Sequence, residues 1–308
     1  MPGAYAHITM AFTASSFMGL NSLGISDEVV DALVSRQGYF ELGAVSPDMP
    51  YLDVIEGEEA EVWADAMHLE GVAERIAVGV RRVAVLPFEE KMTALAWLLG
   101  FVGHVVFDVY MHPVVNIIAG GTYSNETKRR HRTCEMHQDV FIAKKILGME
   151  SFAAGSVLKT EIASLCANGS DDAIDPIIHD VWDAMLKASS PALYKFKKPE
   201  IDDWFNAFVD LMTSLEGLGR MARHFGANIG YPKPLAVERD FIHATTPVGN
   251  VVEYGELFEQ AQKYVLLWWG KIARAICLNE RFEAMEMCGW NLDTGKDITD
   301  KMIFWEEV

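Results

Sequence analysis

Residues Gly103 to Pro113 read GHVVFDVYMHP, three ionisable side chains set among valines and aromatics. His104, Asp108 and His112 stand at i, i+4 and i+8. On a helix, successive members of such a series rotate by only about 40° and rise about 6 Å, so all three share one face. Their neighbours Val102, Val105, Val106, Phe107 and Val109 are apolar, which makes this a polar face inside a core. A buried carboxylate without a partner costs several kcal/mol, and protonating it only moves the cost into a pKa shift. Something must therefore satisfy Asp108. A hydrogen-bonded Asp–His pair would do so if the triplet stood alone.

The apolar run around the triplet, Ala94 to Ile118, is long enough to cross a bilayer. Ionisable groups near its centre are costly in lipid, so it reads as a buried core helix and no transmembrane segment is expected. Further out, helical periodicity covers most of the chain and strand alternation is hard to find, which predicts an all-α, multi-helix bundle around a buried site. The pattern predicts helices over Ala4–Met18, Asp27–Arg36, Glu58–Val85, Phe88–Met111, Asn125–Leu147, Leu158–Ala167, Asp175–Ala188, Glu200–Phe225 and Tyr254–Leu278. Ser46-Pro47-Asp48-Met49-Pro50 is expected to be non-helical, because each proline lacks an N–H and pushes its predecessor toward extended geometry. Gly226 to Gly249 is expected to be the longest non-helical connection.

Composition narrows the function. The 308 residues are 50% hydrophobic and 23% charged, which fits a globular chain and excludes disorder or a collagen-like repeat. Lys and Arg number 26 against 44 Asp and Glu, a formal charge of −18. Such a surface repels phosphate backbones, so general nucleic-acid binding is not expected. Cysteines 134, 166, 277 and 288 form no CxxC pair and are expected to be reduced core residues. The N-terminal MPGAYAHITMAF lacks the basic region of a secretory signal, so a cytoplasmic location is expected.

The triplet does not stand alone. His131 and Glu135 form another i, i+4 pair, His68 ends WADAMH, Asp48 follows Pro47, and His7 sits in an apolar first helix. Imidazole nitrogens and carboxylate oxygens on inward-facing helices are the donors zinc takes. His104 and His112 are separated by about 12 Å of helix rise, too far to share one ion, so the constellation asks for more than one metal. His137 or Asp139 could replace His131 or Glu135 if the register of that helix differs. His179, His224 and His243 are isolated and read as surface or satisfied core, while Trp268, Trp269, Met285 and Met287 read as core packing.

In this order the residues resemble the zinc-dependent phospholipase C family, whose fold is shared by zinc-dependent single-strand nucleases. The resemblance runs from His7 through Glu135 and is carried by GAVSPDMPY, WADAMH, GHVVFDVYMHP and HRTCE. It implies an all-helical fold with a trinuclear zinc centre. One zinc would take Asp48, His68, His104 and Asp108; a second would share Asp108 and add His7; a third would take His112, His131 and Glu135. The nuclease branch usually has Asp where this chain has Glu135, so the resemblance leans toward the phospholipases. Secreted members supply an N-terminal Trp to the zinc that His7 would bind; removal of Met1 here would leave Pro2 instead. Aromatic residues that line the family's choline pocket are replaced by Met49 and Asp65, so phosphatidylcholine specificity is not expected to carry over.

The expected function is a metal-dependent hydrolase that cleaves a phosphodiester, phospholipid included, with a metal-activated water and two to three zinc ions, iron or manganese being acceptable substitutes. Asp48 would ligate, orient the water or accept its proton. Arg129 and Arg132, in a basic run with Lys128 and Arg130, are either a solvated face or a phosphate clamp, and Asp65 would attract a cationic head group. A nuclease or nucleotidase of the same fold, and a non-catalytic metal-stabilised scaffold, are the alternatives. Residues 1–195 would form the metal-binding core and 196–308 a C-terminal helical part of the same domain or a packed subdomain.

Overall fold

In the computed structural model, which describes residues 3–52, 58–148, 173–213 and 236–305, helices surround one central helix. They are α1 (Ala4–Ala14), α2 (Phe17–Asn21), α3 (Asp27–Val34), α4 (Gln37–Val45), α5 (Glu58–Leu69), α6 (Val72–Ala84), α7 (Phe88–Ala119), α8 (Lys128–Leu147), α9 (Pro176–Ser189), α10 (Pro191–Phe196), α11 (Ile201–Thr213), α12 (Arg239–Ile242) and α13 (Tyr254–Leu278). The all-α expectation holds, with one small exception. Strands β1 (His243–Thr245) and β2 (Val251–Glu253) pair antiparallel in a two-stranded ribbon.

Helix α7 is buried nearly all round, its polar face included, and 94% of its most apolar window is buried in protein, so its neighbours rather than lipid cover it. It was expected to stop at Met111 before Pro113 but runs on to Ala119. Pro113 cannot bond the Val109 carbonyl one turn back. The C-terminal segment packs on this turn: Gly295 lies so close that a Cβ there would sit 2.5 Å from the Val109 oxygen, and Trp305 Nε1 donates to the neighbouring Tyr110 carbonyl at 2.8 Å.

Three further boundaries differ from the sequence pattern. The expected helix Glu58–Val85 is two, broken at Gly71, whose φ of 68° is left-handed. The first helix ends at Ala14, where the Ser15 hydroxyl bonds back to the Ala11 carbonyl, and Ser16 starts a new turn by accepting from Gly19 N. Ser46–Leu52 is a 3-10 helix rather than an extended loop. Proline's fixed φ suits that geometry, and Pro47 stands in the first turn, where a missing N–H costs nothing; Pro50 lies inside the helix. Helix Leu158–Ala167 and the part of Glu200–Phe225 beyond Thr213 lie outside the described residues, as do residues 226–235 of the long connection; its described remainder holds α12 and β1. Of the cysteines, Cys134 is buried as expected, but Cys288 is exposed because it follows a short surface turn, Ala284–Met287, and Cys277 is half-buried; Cys166 is not described. Trp268, Trp269 and Met287 are core, whereas Met285 is exposed.

The core is continuous across both halves of the chain. Trp97 of α7 meets Trp182 of α9 at 5.7 Å, Trp182 meets Trp204 of α11 at 5.7 Å, and Phe40 of α4 meets Trp269 of α13 at 5.1 Å between ring centroids. Helices α4 and α7 cross backbone to backbone. A Cβ on Gly43 would lie 2.0 Å from the Trp97 carbonyl oxygen, and one on Gly100 would lie 2.1 Å from that of Phe40. This contact brings the Ala44 carbonyl to His104, and Trp97 Nε1 donates to Ser46 Oγ at 3.0 Å, fixing the start of the 3-10 turn that carries Asp48.

Gly100→Ala should therefore force α4 away from α7. We expect a loss of about 3 kcal/mol in stability, because overpacking a backbone contact cannot relax by a rotamer change. A urea titration reads this as a lower midpoint at unchanged slope.

Candidate metal centre

All eight residues singled out as donors converge. Seven of them are buried, and the eighth, Asp48, keeps 16% of its side chain exposed. Helix α7 supplies His104, Asp108 and His112 from one face, α1 supplies His7, α5 supplies His68 from its last turn, the 3-10 turn supplies Asp48, and α8 supplies His131 and Glu135.

The first group is built around His68 and His104. His68 Nε2 lies 3.2 Å from Asp48 Oδ1, 3.6 Å from Asp108 Oδ2 and 3.3 Å from His104 Nε2. His104 Nε2 lies 3.7 Å from Asp48 Oδ1 and 3.2 Å from Asp108 Oδ2. Four ligands held tetrahedrally about 2.0–2.1 Å from a zinc ion are about 3.3 Å apart, so these separations are the edges of a zinc-sized polyhedron. The other oxygen of Asp108, Oδ1, faces His7 Nε2 at 3.2 Å. His7 stacks on His104 with centroids 3.9 Å apart. The two oxygens of one carboxylate thus serve two neighbouring sets of donors. A third set, His112, His131 and Glu135, has donor atoms within 4.8 Å of one another, with His131 Nδ1 2.8 Å from Glu135 Oε1.

Hydrogen bonding shows that these atoms are reserved. Both nitrogens of His7, both oxygens of Asp108, Asp48 Oδ1, His112 Nε2 and His131 Nδ1 are buried without a hydrogen bond of acceptable geometry among the described residues. Leaving so many polar atoms unsatisfied is expensive unless a ligand takes them. The far nitrogens are occupied: His68 Nδ1 bonds the Ala64 carbonyl at 2.7 Å, His104 Nδ1 that of Ala44 at 2.8 Å, and His112 Nδ1 that of Leu292. Donation from Nδ1 fixes the tautomer with its lone pair on Nε2, the arrangement typical of metal-bound imidazoles. The donors are nitrogen and oxygen only; Cys134, between His131 and Glu135, is occupied by a hydrogen bond from Gln138 at 3.2 Å. Such a set fits zinc, and also iron or manganese.

The electrostatics agree. Burial pushes the Asp108 carboxyl up, but His104, His112 and His7 outweigh it and hold the group well below the ordinary carboxylate range. Asp48 is held low in the same way, against burial, by His104 and His68. Burial pulls His68 down, yet the contact with Asp48 and the charge of Asp108 raise it to about 9. His7 and His112 are depressed by burial, His112 to about 4. Burial raises Glu135, but His131 and Arg132 help bring it to about 2. Unlike-charge pairing thus keeps the carboxylates ionised and ready to bind a cation.

His137 and Asp139 do not join the centre. His137 Nδ1 accepts from Glu238 N at 2.9 Å, and Asp139 Oδ1 accepts from Ala6 N at 2.8 Å, anchoring the first turn of α1 one residue before His7. The periodicity of α8 put Asp139 on the His131 face, but two turns further along it meets α1 instead. His179 is half-buried and His243 exposed, both away from the donor groups, and His224 lies outside the described residues, as does Pro2.

A cavity of about 450 Å³ opens onto the third group, with His131 and Glu135 in its wall. Lys128 and Arg132 line it, and Arg132 Nε donates to Tyr123 OH at 2.9 Å. Arg129 is exposed outside the lining, and Arg130 is drawn away to the Ile118 carbonyl at 2.6 Å. Asp65 also lines the cavity, accepting from Tyr51 OH at 2.7 Å, whereas Met49 is fully buried and faces the core. Tyr51, Tyr123, Glu61 and Asp293 also line it, with Ser124 and Asn125, in ways the sequence did not announce. Tyr51 could have been found from its place three residues after Asp48; nothing in the sequence marks Asp293.

Comparison with known proteins bears on the same residues. The family model for zinc dependent phospholipase C matches residues 6–191, more than half of the chain and every donor named above. No curated protein and no solved structure matches.

Because Asp108 faces two donor sets and His7 only one, Asp108→Asn should release more metal and lower the melting temperature further than His7→Ala, metal binding being linked to folding. Elemental analysis and thermal melts of the two variants decide the point. Equal and small effects would make Asp108 an ordinary core carboxylate.

Proposed function

The chain belongs to the zinc-dependent phospholipase C family, and from that premise we propose that it hydrolyses phosphoester bonds, cleaving a phosphodiester at a centre of two to three zinc ions. The observation that carries this reading is that His131 and Glu135 are at once donors of the centre and walls of an open cavity, so a substrate can reach the metal site. A scaffold that kept its ligands for folding alone has no need of such access.

Zinc in this centre would lower the pKa of a water and polarise a phosphoryl oxygen. The protein's part is positional and electrostatic. Asp48 is the donor carboxylate of the first group that retains solvent contact, and it can ligate, orient the attacking water or accept its proton. Asp108, fully buried, holds the first two donor sets at a fixed separation. Arg132 and Lys128 put positive charge on the cavity wall of an otherwise acidic protein, and a guanidinium matches phosphate geometry. Arg132 is braced by Tyr123, to which it is also stacked with its guanidinium carbon 5.3 Å from the ring centre. That brace reduces the freedom lost when phosphate binds.

Met49 is sealed in the core and Asp65 is tied to Tyr51, so the cavity has no aromatic box at the positions the family uses for choline. Hydrolysis should depend on the phosphodiester and tolerate different head groups. We expect kcat/KM for a small generic phosphodiester to lie within about tenfold of that for a choline ester, a gap of about 1.4 kcal/mol. Arg132→Ala should weaken both substrates alike, and a chelator should abolish turnover of both. A choline preference of a hundredfold or more that vanishes in Tyr51→Ala would assign the head-group pocket to Tyr51. No turnover of any phosphodiester, phosphomonoester or nucleic acid by zinc-loaded protein would overturn the reading.

A further inference from the structure

The carbonyl that orients His112 comes from Leu292, about a hundred residues beyond the end of the family match at residue 191. The same residue's N–H donates to the His68 carbonyl at 2.9 Å. One peptide residue therefore touches the ring of a donor in the third group and the backbone of a donor in the first. The segment around it is a tight turn. Asn291 N bonds the Lys296 carbonyl at 3.0 Å, Gly295 N bonds that of Asn291 at 2.9 Å, and Thr294 N bonds Asn291 Oδ1 at 3.0 Å. The turn is docked on α7 one helical turn past His112, where Asn116 Nδ2 donates to the Asp293 carbonyl at 2.7 Å. Gly295, at φ 65°, is pressed against Pro113, where a Cβ would lie 2.4 Å from the proline Cγ.

We propose that the turn Asn291–Gly295 is a built part of the metal centre, a positioning segment that presents His112 Nε2 to the metal and holds the third donor group in register with the first. A neutral imidazole has one N–H. With that proton given to Leu292 O, the lone pair must lie on Nε2, which is buried and has no other partner among the described residues. Among its described residues the matched region contributes no acceptor for His112 Nδ1, so the donors alone do not complete the site. The proposal rests on reading the donor groups as metal sites and is independent of which phosphoester is cleaved.

The test uses the full chain, stripped of metal and titrated with zinc against a chromophoric chelator, with melting temperatures taken before and after loading. Asn116→Ala removes the dock and Gly295→Ala wedges the turn off α7; Lys296→Ala, whose exposed ammonium pairs with Asp300, is the control. We expect both turn variants to weaken one zinc tenfold or more, the range typical when a second layer of contacts is lost, and to reduce the melting-temperature gain on loading. The remaining zinc and the control should stay within twofold of the unaltered chain. A lower melting temperature of the stripped protein with unchanged zinc affinities would show a merely structural turn and overturn the proposal. Should Gly295→Ala fail to fold, Asn116→Ala decides alone. If the unaltered chain binds no zinc, the metal-centre reading itself fails, a result distinct from failure of the turn.

Discussion

A charged carboxylate at the centre of an apolar helix is the constraint around which this molecule is organised. Asp108 is fully buried, neither oxygen makes a hydrogen bond among the described residues, and its nearest polar neighbours are the imidazoles of His7, His68 and His104. Removing such a charge from water costs several kcal/mol, and three imidazoles recover that cost fully only when a cation lies between them and the carboxylate. The helix that carries Asp108 is enclosed by other helices instead of lipid, and four of the surrounding segments each send at least one side chain able to hold a metal toward it.

The enclosure is rigid for a reason that joins fold to chemistry. Gly43 and Gly100 let α4 and α7 touch backbone to backbone, and that contact delivers the Ala44 carbonyl to His104. At the end of α5, the buried guanidinium of Arg75 binds the carbonyls of Ala66, Met67 and Glu70 within 3.1 Å, holding the helix terminus where His68 sits. Because a guanidinium has five donors and no acceptor, it can satisfy several orphan carbonyls at once while opposing the negative end of the helix dipole. Asp139 does the converse at the start of α1, taking the Ala6 N–H beside His7. Packing and helix-end chemistry, more than the donors themselves, therefore set the separations of the centre.

The cavity carries charges of both signs. A chain with formal charge −18 places Lys128 and Arg132 beside the third donor group, with Asp65, Glu61 and Asp293 on the same surface. A phosphoester with a polar head group would meet cationic side chains for its phosphate and carboxylates for whatever else it carries.

Much of the centre was legible in the sequence because its spacing is local. A helix repeats every 3.6 residues whatever it packs against, so i, i+4, i+8 put His104, Asp108 and His112 on one face, and i, i+4 did the same for His131 and Glu135. The apolar neighbours fixed that face as interior and the fold as all-α. What the spacing could not give is which helices meet. That Asp139 caps α1, that Arg132 rather than Arg129 lines the cavity, that a left-handed Gly71 splits one expected helix in two, and that α7 continues through Pro113 under cover of Gly295 and Trp305 are all set by partners far off in the chain. Leu292 is the clearest case: it acts through main-chain N–H and C=O groups that every non-proline residue possesses, so only the tertiary structure, which brings them within bonding distance of His68 and His112, gives them a role.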